Sequence, residues 1–190
     1  MSSIYGVSDA IKTLSSELVY NGRVVSLVKD VVLLPSGRKT IREKIIHPGA
    51  VGILPVLKGE NLILVEQFRY VINSTLLEIP AGTIEENEAP EECAARELRE
   101  ETGYQASKLE LLSTFYLAPG YSTEFFWLFK ASGLKRGKVK PMLDETIKVK
   151  KVKLAEAYDL IRRGVIRDAK SICAILLYIR MKRSKGDAQD

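Results

Sequence analysis

The chain has 190 residues, of which 46% are hydrophobic, and a formal charge of +5; this is enough for one packed domain with a small appendage and too little for two full domains. Its longest apolar runs, residues 51–57 and 172–179, fall short of the ~20 residues that span a bilayer, and residues 1–11 show no basic stretch leading into an apolar one, so no membrane contact is expected and the expected location is cytoplasmic. The basic residues from Arg23 to Lys185 form no aromatic-flanked cluster, a pattern that suits a small anionic substrate and argues against a nucleic-acid partner.

Residues 18–47 open the ordered pattern. Apolar and polar residues alternate from Arg23 to Leu33, Pro35-Ser36-Gly37 marks a turn, and residues 39–46 resume extended character, which predicts an antiparallel β-hairpin. A lone hairpin is marginal in water and must pack on something. A second hairpin, with more fully buried strands, is expected from residues 51–57 and 62–68. Shorter strands follow at 76–79, 109–116, 124–130 and 147–152. Helical periodicity falls at 90–102, opened by Pro90 and stopped by Gly103; at 154–163, closed by Gly164; and at 168–183, capped by Asp168. Strands mixed with a few helices, without strict βαβ alternation, predict an α+β fold in α/β/α layers. The domain boundaries expected are 1–47 for the N-terminal β subdomain and 48–190 for the rest.

The chemistry concentrates in residues 82–104. Glu97 has Glu100 and Glu101 as its i+3 and i+4 neighbours, so three carboxylates share one helix face. Ala94, Ala95, Leu98 and Thr102 fall in a separate arc expected to pack. Like charges at this spacing cost roughly 0.2–0.5 kcal/mol per i,i+4 pair. A hard divalent cation with oxygen ligands offsets the repulsion directly, whereas a solvated acidic face balanced by Arg96 and Arg99 is the plain alternative. With a single histidine, His47, and two cysteines without paired spacing, Cys93 and Cys173, neither a Ser/His/Asp triad nor a zinc cage is available, and any metal is held by oxygen.

The stretch matches Gly-x5-Glu-x7-Arg-Glu-apolar-x-Glu-Glu-x-Gly-apolar at every position, from Gly82 through Glu88, Arg96, Glu97, Glu100, Glu101 and Gly103 to Tyr104. At residue frequencies of about 6%, seven fixed identities arise by chance at a given start with a probability on the order of 10⁻⁹. The stretch resembles the signature box of the Nudix hydrolases. The resemblance implies metal binding by Glu97 and Glu101, with Glu100 a further ligand and the Ala81 carbonyl added, and Mg²⁺, or Mn²⁺, as the cofactor. Arg96 is placed to orient a neighbouring carboxylate, with Glu88 a candidate partner.

Outside the box, Asn21-Gly22-Arg23-Val24, Ile41-Arg42-Glu43, residues 47–51, Glu66-Gln67-Phe68-Arg69, Glu78-Ile79-Pro80-Ala81-Gly82 and Arg167-Asp168-Ala169-Lys170-Ser171 are similar to the ADP-ribose pyrophosphatase branch of that family. Pro119, sixteen residues after Gly103, resembles the downstream proline of the branch and is expected to shape a loop beside the metal site. The implied reaction is hydrolysis of ADP-ribose to AMP and ribose 5-phosphate, with Arg69 and Arg42 as phosphate-binding forks. The alternatives are another nucleoside diphosphate derivative (a nucleotide sugar, a dinucleoside polyphosphate, an oxidised nucleotide) or a catalytically silent nucleotide-binding module. Glu145 is the candidate general base, with Asp144, Glu124 and Glu100 left open. The branch exchanges its N-terminal region between subunits, which implies a homodimer in which Arg42, with Tyr20, reaches the partner's substrate.

Overall fold

A computed structural model describes residues 11–137 and 147–186. They form two compact units: one runs up to Pro48 and takes in Tyr116–Phe125, and the other comprises Gly49–Phe115 and the chain from Phe126 onward.

In the first unit, β1 (Lys12–Asn21), β2 (Ser26–Leu33) and β3 (Lys39–Ile46) make an antiparallel sheet in the order β1-β2-β3. The expected hairpin is β2–β3, turned through Gly37 at φ 78°. The first strand is an addition to that expectation. Its register with β2 slips between Thr13 and Ser15 and again between Leu18 and Tyr20, so its apolar residues do not keep the period of two by which a strand is recognised. Asp30, buried in β2, accepts hydrogen bonds from Lys44 Nζ at 2.5 Å and Ser16 Oγ at 2.7 Å, and these two partners hold its carboxyl below the usual range. The loop 117–124 joins this unit through Ile45, whose N–H donates to Tyr121 and whose carbonyl accepts from Thr123.

The second unit is built on β4 (Ala50–Leu57), β5 (Asn61–Arg69), β6 (Ser74–Glu78), β7 (Ala81–Thr83), β8 (Tyr104–Gln105), β9 (Lys108–Tyr116), β10 (Phe125–Ser132), β11 (Lys135–Arg136) and β12 (Lys148–Lys153), with α1 (Pro90–Thr102), α2 (Leu154–Arg162) and α3 (Ala169–Gly186). The main sheet runs β12-β5-β4-β10-β9, with β6 added to β5 and β7 to β4, and β8 and β11 form a separate pair. It is mixed: β4 lies parallel to β10 and antiparallel to β5 and β7. The β4–β5 hairpin pairs only at its tip, Val56 with Leu62 and Leu57 with Asn61. Beyond it the strands diverge and take other partners. The short strands β7, β8 and β11, of two or three residues each, are too brief to leave a sequence period.

Because strand side chains alternate, β4 serves two layers. Val51 and Ile53 pack with Cys93, Ala94 and Leu98 of α1 and with Phe129 and Ala131 of β10. Helix α1 begins with Pro90 in its first turn, where Glu92 accepts the Ala89 N–H at 3.1 Å, and stops at Gly103 with φ 72°. Its packed stripe is Cys93, Ala94, Glu97, Leu98 and Thr102, whereas Ala95 is exposed. The stripe is therefore rotated from the expected one and brings Glu97 onto the packing seam. Helix α3 buries Ser171, Ala174 and Ile175, and Asp168 caps it by accepting the Ser171 N–H at 3.0 Å. Among the described residues no helix is long and apolar enough to cross a membrane.

Gly52 shows how closely these layers fit: a Cβ there would lie 2.5 Å from Phe126 Cζ and 2.9 Å from Ile79 Cδ1, and both neighbours are fully buried. Gly52→Ala is expected to destabilise the protein by about 1–3 kcal/mol through overpacking, read as a lowered denaturant midpoint at unchanged slope.

Candidate active site

The loop before α1 and the helix itself are joined by one arginine. Arg96 Nε donates to Glu88 Oε1 at 2.7 Å and Nη2 to Glu88 Oε2 at 2.8 Å, a bidentate pair. Its Nη1 donates to Glu97 Oε1 at 2.6 Å and to Glu100 Oε2 at 3.4 Å, and Nη2 also reaches the Thr83 carbonyl at 3.3 Å. One planar cation thus holds three carboxylates and a strand carbonyl. A lysine lacks the fork for this. Glu88 in turn accepts the Glu85 N–H at 3.0 Å, closing the loop on itself.

These contacts set the charges apart. The Arg96 guanidinium pulls the Glu88 carboxyl down to about 2. Burial pushes Glu97 up, against the pull of Arg96, with Glu100 and Glu88 adding repulsion. Burial also raises the Cys93 thiol, which makes it a packing residue and not a nucleophile.

Glu97 is 7% exposed, and its carboxylate lies directly on the backbone at Gly82: a Cβ built there would fall within the carboxylate itself. Gly82 is needed for close approach, as Gly103 is for its positive φ. Beside it, the Ala81 N–H donates to Glu101 Oε2 at 3.1 Å. The strand β7 and the carboxylate face of α1 are therefore in direct contact.

Glu97, Glu100 and Glu101 with the Ala81 carbonyl form an all-oxygen donor set suited by type to a hard divalent cation. The buried, strained charge on Glu97 fits that use, since a cation relieves the cost that burial imposes. Among the described residues no three metal-ligating side chains converge on one point; Glu97 and Glu100 are instead drawn to Arg96, and Glu101 to the Ala81 N–H.

The remaining expected residues are distributed as follows. Arg69 ends β5 and donates from Nε to Glu78 Oε2 at 2.7 Å. Arg42, Tyr20 and Pro119 belong to the first unit. Arg42 is exposed on β3, its Nη1 donating to the Ile41 carbonyl at 3.2 Å. Tyr20 is exposed on β1, its ring over Gly22, and Pro119 is exposed in the turn closed by the Tyr121 N–H on the Ala118 carbonyl. Glu124 donates its N–H to Ser122 Oγ at 3.1 Å. Glu145 and Asp144 lie outside the described residues. Sequence reasoning assigned no role to Glu78, Lys170 or Ser171, although their motifs stood out.

Gly82→Ala is expected to displace the Glu97 carboxylate and lower metal affinity and turnover by about 10- to 100-fold, with a small change in thermal midpoint. Calorimetric titration with a divalent cation and a melting curve check this; wild-type metal affinity in the variant would show that the close approach is incidental.

Residues 46–175 match the family model described as the NUDIX domain. The chain is 40% identical over 175 residues to a Bacillus subtilis protein called ADP-ribose pyrophosphatase, covering 91% of this chain and 94% of that one. It is 38% identical over 166 residues to a Bacillus methanolicus protein called methanol dehydrogenase activator, covering 86% and 90%. A solved structure described as an ADP compounds hydrolase shares the fold with a TM-score of 0.83 at 24% identity, over 93% of this chain and 96% of that one. On the family match and the extent of these relationships, the chain belongs to the NUDIX family.

Proposed function

We propose that this protein is a Mg²⁺-dependent pyrophosphatase that hydrolyses ADP-ribose to AMP and ribose 5-phosphate. The observation that carries the reading is the complete carboxylate helix, with Glu97 buried against Gly82 and Glu88, Glu97 and Glu100 gathered on Arg96. The substrate assignment is supported by relatives called ADP-ribose pyrophosphatase, at 40% and 35% identity over 91% and 87% of the chain. Two free cysteines support a reducing, cytoplasmic setting.

Glu97, Glu101, Glu100 and the Ala81 carbonyl would hold the divalent cation, which would supply charge neutralisation at the phosphate oxygens and a more nucleophilic water. The residues of the chain do the rest. Arg96 holds Glu88, Glu97 and Glu100 together on the loop and the helix, so that the carboxylates stay gathered at one face. Arg69 offers its terminal nitrogens to a phosphate, Arg42 with Tyr20 is assigned to the substrate of the partner subunit, and Pro119 shapes a substrate-binding loop. Glu145 takes the proton of the attacking water.

The decisive experiment is a substrate panel with Mg²⁺: ADP-ribose, a nucleotide sugar, a dinucleoside polyphosphate and an oxidised nucleotide, with products separated by chromatography. AMP and ribose 5-phosphate from ADP-ribose at the highest kcat/KM supports the reading, and preference for another member sinks it. A second reading, activation of a partner dehydrogenase, comes from the name of the Bacillus methanolicus relative; a rise in methanol dehydrogenase rate on adding the purified chain would favour it.

Glu97→Gln and Glu101→Gln are each expected to lower kcat by at least about 100-fold with the fold retained. Glu145→Gln is expected to be slow while still binding metal and substrate; an equal fall in metal affinity would make it a ligand instead of the base.

Assembly is part of the same proposal. The N-terminal sheet leaves Leu14, Leu18, Val19 and Tyr20 of β1 exposed, with Leu18 and Tyr20 on opposite sides of the strand, apolar surface expected to be covered by a second copy of the chain in a C2 homodimer. Light scattering at micromolar concentration is expected to return twice the chain mass, and a monomeric mass refutes the dimer.

A further inference from the structure

Residues 167–171, which lead into the first turn of α3, are a clamp on the β5–β6 hairpin. Arg167 Nη2 donates to Ser74 Oγ at 2.5 Å, Lys170 Nζ to Glu78 Oε1 at 3.2 Å, and Ser171 Oγ accepts the Ile79 N–H at 2.8 Å. Three residues of one short motif thus reach three successive points along β6 and its exit. Lys170 is bound on its other side by Asp168 Oδ1 at 2.8 Å, the oxygen that also caps the helix.

The centre of this cluster is Glu78, only 1% exposed, and a buried carboxylate needs its charge compensated and its oxygens bonded. Two donors divide it. Arg69 Nε takes Oε2 and Lys170 Nζ takes Oε1. Arginine and carboxylate ordinarily pair through two parallel bonds, but here Arg69 makes a single bond through Nε. Its terminal Nη1 and Nη2 form no hydrogen bond to the described residues, and the side chain is partly exposed. With Arg69, Lys170, Glu78 and Asp168 counted together, the cluster is neutral. Loss of Lys170 would leave it with a charge of −1 and Glu78 Oε1 without a donor, a place that Arg69, already bonded to the same carboxylate through Nε, can fill with a terminal nitrogen.

We propose that Lys170 is a positioning residue: by occupying Oε1 of Glu78 it prevents the carboxylate from taking the Arg69 guanidinium in a two-bond grip, and so reserves the terminal nitrogens of Arg69 for a phosphate of the substrate. The inference rests on the reading of Arg69 as a phosphate ligand and adds what keeps it available. Lys170 touches no substrate and acts only through Glu78 and Arg69.

The test is a double-mutant cycle in the full chain, combining Lys170→Met with Arg69→Ala, followed by ADP-ribose kinetics and by ADP affinity from calorimetry. Lys170→Met is expected to raise KM and the ADP Kd by about 5- to 20-fold with kcat within about twofold, the mark of lost uniform binding. Lys170→Arg, which restores a cationic donor to Glu78, is expected to recover most of the affinity. In the Arg69→Ala background Lys170→Met is expected to change affinity by less than about twofold, because the group it protects is gone. Full multiplication of the two effects overturns the inference, as does unchanged ADP affinity in a folded Lys170→Met. Should Lys170→Met lose cooperative unfolding, Lys170→Gln, which keeps a neutral donor, carries the same cycle with a smaller expected effect. Failure of the parent to hydrolyse ADP-ribose sinks the substrate assignment alone, since the ADP-binding cycle needs no turnover. An Arg69→Ala variant that binds ADP as the parent does overturns the phosphate role of Arg69 and this inference together.

Discussion

A carboxylate pressed against a backbone that has no side chain to spare, Glu97 on Gly82, sets the terms for much of the second unit. Burial makes the charged form of Glu97 costly, so a cation must stand beside it, and Arg96 does. The same guanidinium must also satisfy its own five donors in a place with little water. Glu88 is brought in from the loop for that purpose, and Thr83 offers a carbonyl from β7. The loop, the strand and the helix are therefore positioned by one set of charge-assisted bonds. Loss of Arg96, the cation shared by Glu88, Glu97 and Glu100, would cost about 3–5 kcal/mol because buried negative charge is left unpaired.

The arrangement also explains why α1 is an uneven helix. Its packed stripe carries Cys93, Ala94, Leu98 and Thr102 against Val51, Ile53 and Phe129, a conventional core. One position of that stripe is given to a carboxylate, Glu97, at a cost in stability that the adjacent Arg96 guanidinium partly offsets. Such a local conflict between packing and charge is what a functional site looks like when read from energetics.

The opposite support of the site segment comes from α3. Segment 78–82 is held at Ile79 by Ser171 and at Ala81 by Glu101, while the Pro80 carbonyl accepts the Ile53 N–H. Two helices and the central strand β4 thus fix five residues that include Ala81, Gly82 beneath the Glu97 carboxylate, and Glu78, the anchor of Arg69. A site built on rigid elements and backed by a second layer of hydrogen bonds keeps its geometry to within fractions of an ångström.

The box from Gly82 to Tyr104 was legible in the sequence because its chemistry is local: helix periodicity puts Glu97, Glu100 and Glu101 on one face, Pro90 and Gly103 mark the ends, and the Arg96–Glu88 pairing spans only eight residues. The α+β class, most strands and the three helices were legible for the same reason. The first strand was not, since its bulges erase the period of two, and β7 was not, since three residues have no period to show. The rotation of the packed stripe that buries Glu97 and exposes Ala95 depends on what α1 rests against, which no helical wheel contains. The clamp of Lys170 and Ser171 on Glu78 and Ile79 joins positions 92 residues apart. Spacing along the chain specifies neighbours within one element, but which distant charges share a buried space is decided only when the strands pair and the helices close over them.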